Sequence, residues 1–306
     1  MTETNVDWNT PATPSVGDEP SNILYHYTSA EVAIFNILTS GTLRLSPMHA
    51  TNDPWETEPF RPSFSVPPDD EAFGSEFAYG AWGDIDRDIR LHSKIVSLTQ
   101  DWTPRDAFAK QNSGWSHLSS WAHYGARQTG ICLGFDRTIL VEEFNKIGGP
   151  DALRFHGPVQ YWNQDQPPYL ESISSEQLKL YGTDAVARHY AEKHHKTVFL
   201  TKHSDWAPEY EYRFAIMNGS ALPAHIDIRR ALTTVVVGSK FSDGLTPALS
   251  EALSTYQSYK VAKLGLQSRF TIVLPFPLSE EGVASSITPA LPGDLAYRLE
   301  KLRQAA

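Results

Sequence analysis

The chain has 306 residues, of which 41% are hydrophobic, 11% aromatic and 20% charged, and 26 Lys plus Arg against 36 Asp plus Glu give a formal net charge of −10. That is a globular composition, which excludes collagen-like, coiled-coil and wholly disordered chains, and the charge argues against a general electrostatic grip on nucleic acid or anionic lipid. A single cysteine, Cys132, excludes internal disulfides and multi-cysteine zinc sites. With no apolar run long enough to span a bilayer and no basic-then-apolar leader, the expectation is a cytoplasmic protein without a membrane partner.

Residues 1–21, rich in Thr, Pro, Asp and Glu, are expected to be a disordered acidic tail whose removal leaves stability unchanged. Ile23 to Tyr27 is an apolar and aromatic run that suits a strand. Thr28 with Glu31 three residues on has the form of a capping box, so a helix is expected to start there, with Ala33, Ile34, Ile37 and Leu38 buried and Gly41 as its stop. Thr42 to Ser46 then reads as a second strand. Residues 57–73, with four prolines, and residues 148–169 read as irregular stretches. Further strands are expected at Lys94 to Leu98, Gly130 to Phe135, Tyr210 to Met217, Thr233 to Val237 and Arg269 to Leu274. Helices are expected around Leu118, Trp121 and Ala122, over Thr183 to Leu200, and over Leu245 to Tyr256. Strands and helices mix without regular alternation, so the expected fold class is α+β, with a mixed sheet and a strand-helix-strand opening in one domain over residues 22–278. Residues 279–306 are expected to be an extension with a peripheral helix, because Leu295, Leu299 and Leu302 would share one helical face.

Two segments carry the strongest chemistry. His26 ends the first strand just before a helix N-terminus, where backbone amides can hold a pyrophosphate and an imidazole can bond a ribose, with Thr28 beside it. The bland alternative is a strand-end histidine bonded to a carbonyl. In Glu209-Tyr210-Glu211-Tyr212-Arg213, strand alternation would put Glu209, Glu211 and Arg213 on one face and both tyrosines on the other. A carboxylate pair beside a cleft can stabilise an oxocarbenium ion and take a proton from a nucleophile. The alternative is an ion-pair ladder, with Arg213 balancing the glutamates against Lys202 or Arg44. Trp206 and Tyr212 are expected to be structural.

Asn52-Asp53-Pro54-Trp55-Glu56 follows the second strand as a rigid turn, or else aims Asp53 or Glu56 into the cleft of Glu211. Trp121 reads as core, while His123 and Tyr124 are candidates for stacking on a nicotinamide or adenine. His194 and His195 are adjacent and point apart, so no metal is expected. P-loop and Rossmann signatures are absent, and Cys132 in an apolar strand is a poor nucleophile.

The recurring segments of the bacterial DUF2971 family resemble Leu24 to Thr28, Asn52 to Glu56, Trp121 to Tyr124, Gly130 to Asp136, and Lys202 with Trp206, Glu209, Glu211, Tyr212 and Arg213. The resemblance runs in order over roughly residues 22–276. The family name implies no activity. A strand-one His with Thr two residues on and a late Glu-x-Glu is also similar to the ADP-ribosyltransferase superfamily. That similarity implies an ADP-ribosyltransferase-like core, with His26 holding the ribose of NAD, Glu211 catalytic and Glu209 its companion. Ser46 and Tyr124 both qualify as the middle member, and Tyr27 or Tyr124 would stack the departing ring. The implied reaction moves ADP-ribose from NAD, as substrate, to a macromolecular acceptor. Two alternatives stand beside it: a recognition module that binds a nucleotide or partner without turnover, and a hydrolase using Asp53, Glu209 and Glu211.

Overall fold

The computed structural model describes residues 22–51, 53–57, 62–68, 75–101, 113–163, 165, 170–267 and 270–278. The expected tail, the 294–303 helix and Asn52 lie outside them. Ten strands make one sheet: β1 (Ile23–Thr28), β2 (Thr42–Pro47), β3 (Ser93–Gln100), β4 (Ile131–Asp136), β5 (Leu153–Pro158), β6 (Glu211–Met217), β7 (Ala224–Asp227), β8 (Leu232–Val237), β9 (Lys260–Gln267) and β10 (Phe270–Pro275). Their order is β7-β2-β3-β1-β4-β8-β9-β10, with β6 joining β3 on its other edge and β5 beyond it. Among the described residues of this sheet only the β8–β9 pair is parallel, so the sheet is mixed and the class is α+β.

Both faces are covered. One carries the largest core cluster, in which Leu24, Leu98, Leu133 and Phe214 meet Ala33, Ile34, Ile37 and Leu38 beside helix α1 (Val32–Leu38). The opposite face is divided. Ile95, Ala215 and Met217 pack on α2 (Ser75–His92), whereas Tyr25, Tyr27 and Cys132 pack against Trp121 of α3 (Leu118–His123). Between those two clusters the face is polar, and there the sheet opens.

The opening follows from register. One edge of β3 is shared: Tyr25 and Leu24 of β1 pair with Thr99 and Gln100, while Ser46 and Pro47 of β2 pair with Ile95 and Lys94. β1 and β2 therefore leave β3 at different ends, and the stretch around Ser97 has no strand partner on that side among the described residues. Helix α1 connects β1 to β2. It ends at Gly41, whose φ of +68° suits glycine and whose missing side chain leaves room for the Arg229 guanidinium.

Several expectations need correction. Thr28 stays in β1, and Ser29 Oγ caps the helix by accepting from the Val32 amide at 3.2 Å, so the Thr28–Glu31 capping box does not form. The helix is also π over Val32–Leu38. The long helix α5 begins at Ser175, turns at Gly182 (φ 80°, ψ 171°) and ends at Lys193, and a separate short helix covers His195–Phe199. Residues 148–169 contain β5 and a short strand, Gln160–Trp162, that pairs with Thr201–His203. The helices α2 and α4 (Arg137–Phe144) and the strands β7 and β9 add to the expected elements.

Candidate functional site

At the splay lies a cleft of about 730 Å³. Tyr25, His26 and Tyr27 line it from β1, Arg44 and Ser46 from β2, Ser97 and Thr99 from β3, and Glu211 and Arg213 from β6, joined by Glu56, Tyr124, Lys202 and Glu209.

Glu211 and Arg213 are two apart on a strand buried on both faces. Their charges must therefore be met by other side chains. Arg213 Nε donates to Glu211 Oε1 at 2.6 Å, and its Nη2 pairs with Glu56 Oε1 at 2.5 Å. Lys202 Nζ donates to Glu211 Oε2 at 3.2 Å and to Glu209 Oε2 at 2.8 Å. Tyr124 donates its hydroxyl to Glu209 Oε1 at 2.5 Å. The Tyr161 hydroxyl accepts from the Glu211 amide at 2.9 Å, fixing the first residue of β6. Burial alone would raise the Glu211 pKa, but Arg213 and Lys202 outweigh it and hold the carboxyl down at about 2. Burial likewise acts to lower Lys202, and Glu211 and Glu209 keep it above its ordinary value. The cluster thus sets three acidic side chains, Glu56, Glu209 and Glu211, against two basic ones, Lys202 and Arg213.

Glu209 reaches this cluster from a different element than expected. It closes the 3-10 turn Ser204–Glu209, and Tyr210 at φ 47° reverses the chain into β6, so strand alternation begins only at Glu211. Lys202 reunites the two glutamates. Trp206 is half-buried under Lys202, whose Nζ lies 4.5 Å from the ring centroid, whereas Tyr212 is buried on the other face with its hydroxyl 2.7 Å from His156 Nδ1.

The register also fixes which side chains can meet. Tyr25 pairs with Thr99, and Thr99 with Glu211, so these three share one face of the sheet, and Tyr27 joins them by alternation. His26 pairs with Leu133 and belongs to the opposite face. It borders the cleft only through the splay, where its Nδ1 lies 3.4 Å from the Ser97 carbonyl oxygen. Burial lowers its pKa, so the ring is neutral, and with Nδ1 donating to that carbonyl its Nε2 is an acceptor.

Of the sequence candidates, the cleft gathers Glu211, Glu209, His26, Tyr27, Ser46 and Tyr124. Thr28 pairs with Ile131 at the end of β1 and does not line it, His123 is exposed outside it, and Asp53 is buried in the turn that carries Glu56. The hydrolase alternative thereby loses its first carboxylate from the cleft. Tyr27 lines the cleft with one edge, while its hydroxyl is spent on the Gly114 carbonyl and its ring meets Trp121 edge-on at 5.1 Å. Ser97, Tyr25, Tyr161 and His225 were not singled out by sequence. The one available signal was Ser97 as a polar residue between Val96 and Leu98 in an apolar run.

Among the described residues no group of His, Cys, Asp and Glu side chains is placed to hold a metal ion, and no helix is long and apolar enough to cross a membrane. No curated protein and no solved structure matches the chain. The family model described as protein of unknown function (DUF2971) matches residues 120–214, the stretch that carries Tyr124, Lys202, Glu209, Glu211 and Arg213.

Proposed function

We propose that the cleft binds NAD and that the protein is an ADP-ribosyltransferase-like enzyme acting on a macromolecular acceptor. One observation carries this reading: strand register sets Glu211 on the same face as Tyr25 and Tyr27, and Ser46, Tyr124 and Glu209 line the same open cleft. In the proposed step the bond between the ribose C1′ and nicotinamide breaks, and its electron pair leaves on nicotinamide. Glu211, held ionised by its two cations, faces the positive charge left on the ribose. The acceptor nucleophile bonds to C1′ and its proton passes to Glu209. Tyr124 or Tyr27 flanks the departing ring, and neutral His26 accepts a ribose hydroxyl through the splay. Incubating the protein with NAD labelled in its adenylate half, together with a cell lysate, tests this. Nicotinamide release with label on a macromolecule supports it, and intact NAD after prolonged incubation overturns it.

A second reading is favoured by the charge balance. Both Glu211 oxygens are already engaged, Oε1 by Arg213 and Oε2 by Lys202, which reduces the negative potential available to a ribosyl cation. On this reading the cleft recognises a nucleotide without turning it over. Saturable NAD binding with no nicotinamide release is its signature.

A further inference from the structure

We propose that the β2–β7 side of the cleft is an anion subsite, in which Arg44 and His225 take a phosphate or pyrophosphate group. The inference rests on the cleft being a ligand site, and it holds whether or not NAD is turned over.

Arg44 of β2 and His225 of β7 are direct cross-strand partners. Such partners carry Cβ atoms about 4.5–5.5 Å apart on one face. Both side chains are exposed and both line the cleft. Neither makes a hydrogen bond or ion pair among the described residues. The other cleft cations differ, since Lys202 and Arg213 are consumed by Glu209, Glu211 and Glu56. Among the described residues, Arg44 is therefore the basic side chain of the cleft that no carboxylate engages. Its position follows from the splay: β2 pairs with β3 only at Ser46 and Pro47, so two residues back along the strand Arg44 borders the gap instead of a neighbouring strand. On its other side stands His225, whose ring can donate to an anion.

A guanidinium presents a planar fork that matches two phosphate oxygens, and a neighbouring imidazole supplies a further donor. The β6 side of the cleft is formally negative, with Glu56, Glu209 and Glu211 against Lys202 and Arg213. The two poles orient a ligand, with its phosphates toward Arg44 and its uncharged or cationic part toward the glutamates.

Calorimetric titration with inorganic pyrophosphate, ADP and adenosine tests the subsite on wild type, Arg44→Ala, Arg44→Lys and His225→Ala. All three side-chain changes are at exposed positions outside the ion-pair cluster, and thermal melting serves as the folding control. The expected result is tighter binding of ADP than of adenosine by wild type. Arg44→Ala should weaken ADP and pyrophosphate by about tenfold to a hundredfold, the scale of a lost charge-assisted contact, and leave adenosine unchanged. Arg44→Lys should recover part of that loss, and His225→Ala should weaken the same two probes less. Wild-type protein that ignores pyrophosphate and ADP, or variants that bind them as wild type does, would overturn the subsite. Arg44-dependent ADP binding without nicotinamide release from NAD supports the subsite while removing the transferase reading.

Discussion

Arg213 is 1% exposed and Glu211 2%, so neither charge can fall back on water when its partner is removed. Glu211→Gln keeps shape but leaves Arg213 to Glu56 and Lys202 to Glu209. Breaking a buried pair on one side typically costs about 3–5 kcal/mol, and urea unfolding at pH 7 should show a loss of that size. The pH dependence has a definite sign. The folded carboxyl is depressed from 4.5 to about 2, so its contribution is fully present above about pH 4.5 and lost as pH falls toward 2. The variant should lack that part of the acid limb. A variant as stable as wild type at pH 7, with the same acid profile, would contradict the cluster. Trp206 is a milder case: half-buried beneath Lys202 and outside the apolar clusters, it should cost about 1 kcal/mol on truncation to Ala, the scale of a partly exposed cation–π contact. Tyr212→Ala, in contrast, removes a buried aromatic and should cost about 3–5 kcal/mol in the same assay.

Elements were legible where punctuation was local. Gly41 stops the first helix, and the alternation of apolar and polar residues in β2 is plain in the chain. Helix α2 was not, because Gly80, Gly83 and the acidic residues Asp84, Asp86 and Asp88 dilute the stripe of Ala81, Ile85 and Ile89. Its contact with α5 also has its own chemistry, since Asp88 faces Asp184. Burial and the second carboxyl raise Asp88 to about 6. A raised carboxyl stabilises the fold below the unfolded value near 3.8, and that contribution is lost as pH rises through about 6. Asp88→Asn should therefore raise the melting temperature relative to wild type at pH 8 and much less at pH 4. An equal change at both pH values would contradict the pair. Gly182 supplies a further check, because its φ of 80° and ψ of 171° lie in a region that only glycine enters freely, and Gly182→Ala should cost about 1–3 kcal/mol in unfolding free energy although a Cβ there meets open space.

Across the whole molecule, the sequence named the charged residues of the site but not how they meet. Glu211, Arg213 and Lys202 stood out as polar groups on or beside an apolar strand. The opening between β1 and β2 did not, since it depends on Tyr25 finding Thr99 and Ser46 finding Ile95, pairings between segments far apart in the chain. The same long-range register puts His26 on the face opposite Glu211, which no local alternation could reveal. That geometry makes Glu211 the residue on which the proposed chemistry stands or falls. The most direct test is nicotinamide release from NAD by wild type and Glu211→Gln side by side, with NAD affinity measured on both. The account predicts release by wild type, a rate about 10²–10³-fold lower in the variant, and NAD affinity nearly retained. Wild-type protein that releases no nicotinamide, or a folded variant that releases it at the wild-type rate, would contradict it.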